Sequence, residues 1–125
     1  MIGVDVISID RITKLKAKFG KRFLGRFLNE KELSLAKNDA SIAGFWAIKE
    51  ATAKALGCGI CKDCDFSDIS IFKSPLGAPC VKISKHARLA YKKRKQKSLK
   101  KRAFVSLSHD GGIAIAVVKL RKKQD

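Results

Sequence analysis

The chain has 125 residues, enough for one domain with a buried core and too few for two comfortable ones. Its 28 Lys and Arg outnumber 11 Asp and Glu, a formal charge of +17 that concentrates anions at the surface and implies acidic partners, without choosing among nucleic acid, phosphorylated metabolites and acidic proteins. The longest apolar run, around residues 112–118, falls far short of the roughly 20 residues that cross a bilayer, and the first residues follow a strand pattern instead of that of a signal peptide, so the expectation is a single soluble, cytoplasmic domain over residues 1–125 with no membrane contact.

"IGVDVISI", residues 2–9, alternates with a period of two and predicts a strand with Ile2, Val4 and Val6 on one face and Gly3, Asp5 and Ile7 on the other. Asp10 is the expected cap of a helix running to about residue 19, stopped by Gly20, and a short helix over 21–28 follows. Asn29 with Glu32 three residues on forms a capping box for a helix to about residue 37. The polar "NDAS" then leads into a long helix over 42–56, ended by Gly57.

A cysteine-bearing loop follows, with Cys58, Cys61 and Cys64 in a C-x-x-C-x-x-C run and Cys80 further on. In a cytosolic chain that usage favours free thiols or metal over disulfides, and the fourth cysteine stands at the wrong offset for an iron–sulfur run, so reduced thiols are expected. "DISIF" (68–72) and "PCVKI" (79–83) read as strands joined by a Pro and Gly turn, and Ser84 caps a helix to about residue 97. "AFVSLSH" (103–109) and "IAIAVVKL" (113–120) flank Asp110-Gly111-Gly112, a hairpin signal. The fold class is therefore α+β, a small and mainly antiparallel sheet packed against helices.

Two carboxylates stand out in a chain short of acids. Glu50 lies in "WAIKEATAKAL" with Lys54 one turn later, the spacing of an ordinary helical ion pair; yet Ala47, Ala51, Ala53 and Ala55 invite close backbone approach on several sides and argue against a fully solvated face. Asp5 sits mid-strand, where a carboxylate is costly unless paired with a cation or bound to one, and a salt bridge to a nearby Lys or Arg meets that need as well as a metal does. Two such carboxylates meeting in space would suit Mg²⁺, which takes oxygen ligands and shares itself with substrate phosphates. His109 ends a strand beside the Gly-rich turn, a place both for a cleft residue and for a merely solvated one.

The basic residues form two groups. Arg11, Lys14, Lys18, Lys21, Arg22 and Arg26 are interleaved with Phe19, Phe23 and Phe27 on the first two helices, a pattern that suits docking to an acidic helix and also suits core phenylalanines beneath solvated charges. "YKKRKQKSLKKR", residues 91–102, is the densest run. It can contact phosphate backbones, but its charges lie on all sides and define no recognition face, so specific nucleic-acid reading is not expected.

Three stretches together, "IGVDVISIDRI", "KEATAKALGCGI" and "VSLSHDGGIAIAVV", resemble in order and separation the signatures of holo-acyl-carrier-protein synthases, the bacterial 4'-phosphopantetheinyl transferases. The resemblance covers nearly the whole chain. It implies the 4'-phosphopantetheinyl transferase fold and the transfer of 4'-phosphopantetheine from coenzyme A to a serine of an apo acyl carrier protein, with release of adenosine 3',5'-bisphosphate. It further implies Asp5 and Glu50 as Mg²⁺ ligands, Lys54 as the phosphate-binding cation that stabilises the leaving group, Gly57 and Gly59 as the turn beside the nucleotide, and Pro79, Ser108 and His109 as coenzyme A residues. Arg11, Lys14, Lys18, Arg22, Phe23 and Arg26 become the docking surface for the acidic carrier. Homotrimers with sites between subunits, His109 coming from the neighbour, are the implied assembly. The serine proton has Asp5, Glu50 or a metal-bound water as acceptor.

The chain departs from the family pattern at Phe45 and Trp46, where arginine and phenylalanine are common, and at Ala78, where lysine is common. Lysines between 92 and 102 are the expected replacements for the two missing cations.

Overall fold

The computed structural model describes residues 1–124. Strand β1 (Ile2–Ser8) leads into α1 (Ile9–Phe19), α2 (Lys21–Phe27), α3 (Glu30–Leu35) and the long α4 (Asp39–Ala55). After a loop and a 3-10 turn (Phe66–Asp68), β2 (Ile69–Lys73) and β3 (Pro79–Ile83) form a hairpin, α5 (Lys85–Lys95) follows, and β4 (Arg102–Asp110) and β5 (Ile113–Lys119) close the chain. The five strands form one antiparallel sheet in the order β1-β5-β4-β3-β2. Among the described residues no helix is long and apolar enough to cross a membrane.

The caps shift the expected boundaries. Ser8, not Asp10, caps α1 by accepting from the Arg11 amide at 3.2 Å, while Asp10 falls in the first turn and pairs with Lys14 at 2.9 Å. Ladder pairing decides this: β1 stays registered with β5 through Ser8 opposite Ile113, so the helix begins at the next residue. The "NDAS" segment is likewise helix and not loop, because Asn38 accepts from the Ser41 amide at 2.8 Å and starts α4 at Asp39. The capping box of Asn29 and Glu32 is present, but α3 ends at Leu35, and α5 ends at Lys95 with Gln96 left-handed at φ 59°.

The core lies between α4 and the inner face of the sheet, chiefly β1 and β5. Small residues face each other there: Ala47, Ala51 and Ala55 on the helix, Gly3, Ala114 and Ala116 on the sheet, all buried. Gly3 marks the closest approach. A Cβ placed on it would stand 1.9 Å from the Ala51 carbonyl oxygen and 2.6 Å from the Ala55 amide nitrogen, so only glycine fits this strand position.

A buried ion pair fixes the helix from its other side. Lys49 Nζ donates to Glu32 Oε1 at 2.8 Å and to the Phe66 carbonyl at 3.2 Å. Glu32 also accepts from the Asn29 amide at 2.9 Å and from the Ile71 amide at 2.8 Å, so α3, α4, the 3-10 turn and β2 meet at one carboxylate that is fully buried. Such a pair holds only because its lone pairs and protons are satisfied.

The other face of the sheet is uncovered in a single chain. Ile2, Val4 and Val6 of β1 are 65%, 51% and 55% exposed, and Val4 lies opposite Val117 and Val6 opposite Ile115, both of which also face outward. With the exposed Phe104 of β4, these side chains make a contiguous apolar surface on three strands.

Candidate active site

The tight seating of α4 on β1 brings Asp5, Glu50 and Lys54 together. Asp5 belongs to the inward row of β1 and its side chain is 12% exposed. Lys54 Nζ donates to Asp5 Oδ1 at 2.8 Å, while Asp5 Oδ2 is buried with no hydrogen-bond partner. The helical pair expected between Glu50 and Lys54 is thus replaced by an interelement pair, since the ammonium gains more from a carboxylate shielded from water than from one on its own helix. Glu50 stands beside the same group: burial, and then the Asp5 charge, push its pKa above the ordinary carboxylate range, against the pull of Lys54 and Arg11. The hydrogen bond to Asp5 raises the Lys54 pKa and keeps it protonated.

This donor set fits a hard divalent cation. An orphaned buried carboxylate oxygen next to a second, like-charged carboxylate is a costly arrangement that an oxygen-seeking cation relieves. Among the described residues no cluster of three His, Cys, Asp or Glu suited to a metal is present. A cation here would therefore have two protein carboxylates and fill its remaining positions from water and substrate oxygens, the habit of Mg²⁺.

Gly57 and Gly59 form the turn that ends α4. Both have positive φ, 85° and 65°, and their amides return to the helix, Gly57 to the Lys54 carbonyl at 3.0 Å and Gly59 to that of Ala53 at 3.1 Å. The single chain does not bring Pro79, Ser108 and His109 to Asp5. Pro79 lies opposite Lys73 in the β2–β3 hairpin. Ser108 is exposed and registered with Ile115 of the uncovered sheet face. His109 Nε2 donates to the Ala40 carbonyl at 2.9 Å, over the start of α4.

The first basic group frames a groove of about 580 Å³ lined by Leu15, Phe19, Arg22, Arg26 and Trp46, with Phe23 and Phe66 as its floor. Phe23 is 8% exposed and packs on Phe27 and Trp46, whereas Phe19 is 46% exposed with Lys18 Nζ 5.2 Å above its ring. Arg11 stands near enough to Glu50 to lower its pKa, so the basic surface begins at the carboxylates. Lys14 is engaged with Asp10 at the exposed rim.

Three contributors escaped sequence reasoning. Gly3 carried a signal, glycine inside a strand, which marks close backbone approach. Lys49 carried a weaker one, a charge at a position flanked by Ile48 and Ala51 in an otherwise apolar helix. Lys73, whose Nζ sits 5.7 Å over the ring of the buried Phe45, had none, because hairpin pairing alone brings it beside Pro79 and that ring. The dense basic run is exposed over 92–97, and its Arg94 donates to the Leu56 carbonyl at 2.7 Å, next to the turn after α4.

Comparison with known proteins gives a consistent result. A family model for the 4'-phosphopantetheinyl transferase superfamily matches residues 1–118. The holo-[acyl-carrier-protein] synthase of Campylobacter curvus is 54% identical over 117 residues, covering 94% of this chain and 96% of the relative. A crystal structure of Helicobacter pylori holo-[acyl-carrier-protein] synthase in complex with coenzyme A superposes with a TM-score of 0.86 at 44% identity, covering 96% of this chain and 99% of that one. A Bacillus anthracis holo-(acyl-carrier-protein) synthase in complex with CoA (3',5'-ADP) gives 0.76 at 31% identity, with 98% and 96% covered.

Proposed function

The chain belongs to the 4'-phosphopantetheinyl transferase superfamily, among its holo-[acyl-carrier-protein] synthases, and from that premise we propose that it transfers 4'-phosphopantetheine from coenzyme A to a serine of an apo acyl carrier protein in an Mg²⁺-dependent reaction that releases adenosine 3',5'-bisphosphate. The observation that carries this reading is the convergence of Asp5 and Glu50, with one Asp5 oxygen held by Lys54 and the other buried and unpartnered.

In the reaction the serine oxygen forms a bond to the pantetheine-side phosphorus, and the bond from that phosphorus to the bridging oxygen breaks, leaving the nucleotide bisphosphate. Mg²⁺ held by Asp5 and Glu50 would neutralise pyrophosphate charge that otherwise repels the nucleophile. Lys54 is 50% exposed on its side chain and has spare N–H donors, so it can hold Asp5 and meet a phosphate oxygen at once. Its protonated state suits it to stabilise the leaving group. The carboxylate pair is also the protein's acceptor for the serine proton. Gly57 and Gly59, without side chains, let the backbone after α4 approach the nucleotide.

We assign the uncovered sheet face to the contact among three copies of the chain. An apolar surface spanning β1, β5 and β4 exceeds what a monomer ordinarily leaves in water. Ser108 lies on that face and His109 at its margin, so in a homotrimer both reach the subunit boundary and a neighbour's His109 completes the coenzyme A site. Lys73, beside Pro79, joins the lysines of 92–102 as a replacement for the family cations absent at Phe45 and Ala78. Arg11, Lys14, Lys18, Arg22, Phe23 and Arg26 dock the acidic carrier, with the groove at Phe19 and Trp46 taking an apolar side chain. The reading also puts the enzyme in the cytoplasm, where its thiols are kept reduced.

The test is a mass measurement on apo carrier incubated with the protein, coenzyme A and Mg²⁺. A gain of one phosphopantetheine is expected. An unmodified carrier, together with salt-sensitive binding to nucleic acid, would instead favour a basic nucleic-acid-binding protein.

A further inference from the structure

We propose that Cys58 and Cys61 form a reversible dithiol–disulfide pair on the turn that closes α4, with Cys61 as the attacking thiol and Cys58 as the resolving one. The pair is placed by the fold and does not depend on the transferase reading.

Both cysteines are held at fixed ends of one short loop. Gly57 and Gly59 turn the chain back on α4, where the Cys58 thiol lies 3.9 Å from the Ala53 carbonyl. Cys61 and Cys64 exchange backbone hydrogen bonds of 3.0 and 3.1 Å, closing a tight turn on Lys62 and Asp63. Helix α5 clamps this loop: Arg94 donates to the Leu56 carbonyl at 2.7 Å and pairs with Asp63 at 3.4 Å, and the His86 ring donates to the Lys62 carbonyl at 3.0 Å. Within that frame the Cys58 and Cys61 thiols are hydrogen-bonded to each other, and nothing stands within 4 Å of a Cβ built at Gly57 or Gly59, so the loop can tighten into a bond without displacing a side chain.

The remaining cysteines are unsuited to the role. Cys64 is 1% exposed, and burial pushes its pKa up to about 12, which keeps it a thiol. Cys80 sits on β3 opposite Phe72, away from the loop. The two members of the pair differ in a useful way. Backbone donation from Asp63, and then from Cys64, lowers the Cys61 pKa and favours its thiolate, whereas burial raises that of Cys58. A thiolate that is accessible beside a protonated partner is the arrangement of a redox-responsive site.

With a low-molecular-weight disulfide as oxidant the step balances. The Cys61 thiolate attacks one sulfur of the small disulfide, forming a mixed disulfide and expelling one small thiolate. Cys58, losing its proton, then attacks the Cys61 sulfur and expels the second. The protein dithiol is oxidised by two electrons, the small disulfide is reduced by two, and the protons leave with the released thiols.

The experiment incubates the full chain with oxidised glutathione, blocks remaining thiols, unfolds and digests with trypsin. Cleavage after Lys54 and Lys62 isolates residues 55–62, which contain both cysteines and neither of the others. That peptide is expected to become lighter by two hydrogens and to revert on reduction, while Cys64 and Cys80 remain alkylatable. C58S should stop at the mixed disulfide on Cys61, and C61S should slow oxidation at Cys58 by about tenfold or more, in line with its less available thiolate. Cross-linking to Cys64 or Cys80, a mixed disulfide that persists in the unsubstituted chain, equal reactivity of C58S and C61S, or stoichiometric zinc that must be chelated before either thiol reacts would each overturn the proposal.

Discussion

The carbonyl oxygen of Ala51 lies 1.9 Å from where a Cβ on Gly3 would stand, which makes the contact between α4 and β1 one of backbone on backbone. This contact sets how near Glu50 and Lys54 come to Asp5, two residues along the same strand. Gly3→Ala must push the helix off the strand. The expected cost is about 3 kcal/mol, the upper end for an overpacked site, read as a lowered urea midpoint, and activity should fall further than stability because the carboxylates separate.

Asp5→Ala and Glu50→Ala should each lower carrier modification by at least about 100-fold, a loss typical of removing one electrostatic contact made to a transition state. Their thermal melts should stay close to that of the unsubstituted chain. Chelation of divalent ions should have the same effect on activity, reversible by Mg²⁺. Ordinary turnover in either variant, measured by carrier mass, would remove the basis of the mechanism.

Glu50 also predicts a pH dependence of stability. Its folded-state pKa lies above the ordinary value of 4.5, so the folded state binds more protons than the unfolded one in the window just above that value. The group therefore costs stability at neutral pH, and the cost disappears as pH falls through the folded-state pKa towards 4.5. Without added metal, Glu50→Gln should be inactive yet more stable than the unsubstituted chain at neutral pH, with the two denaturation curves converging below that window.

Arg22→Glu with Arg26→Glu should raise the carrier KM by about tenfold or more and leave the coenzyme A KM unchanged, since reversed charges slow the encounter with an acidic partner. Raising the salt concentration should weaken carrier docking in the unsubstituted chain and have less effect on the double variant.

Val6→Asp places a charge on the uncovered sheet face, where Val6 is 55% exposed and lies opposite Ile115. Sedimentation should then report monomer in place of trimer. Activity should fall with assembly and recover in part when the protein concentration is raised. An unchanged sedimentation profile would move the subunit contact elsewhere.

The strands and the hairpin were legible because local rules fix them: period-two alternation in β1, and Gly111 and Gly112, both with positive φ, between β4 and β5. Helix starts were less legible. Ser8 and Asp10 both satisfy the chemistry of a cap, as do Asn38 and the residues after it, and long-range pairing of β1 with β5 decided the first case. Asp5 and Glu50 could be singled out as carboxylates in costly surroundings, but their meeting could not, since it depends on the distance between α4 and β1 and on the rotation of α4 about its axis. The uncovered face was missed for a related reason: alternation tells which residues share a side and says nothing about which side another layer covers.

That rotation has its own keeper. Lys49 and Glu50 are neighbours in sequence and so point about 100° apart around the helix; one is locked into the interior against Glu32 and the Phe66 carbonyl, while the other opens beside Asp5. The interior lysine works as a detent on the spindle of α4, so the aim of Glu50 is set by an anchor on the far side of the helix, and an alteration at Glu32 would misdirect a side chain that it never touches.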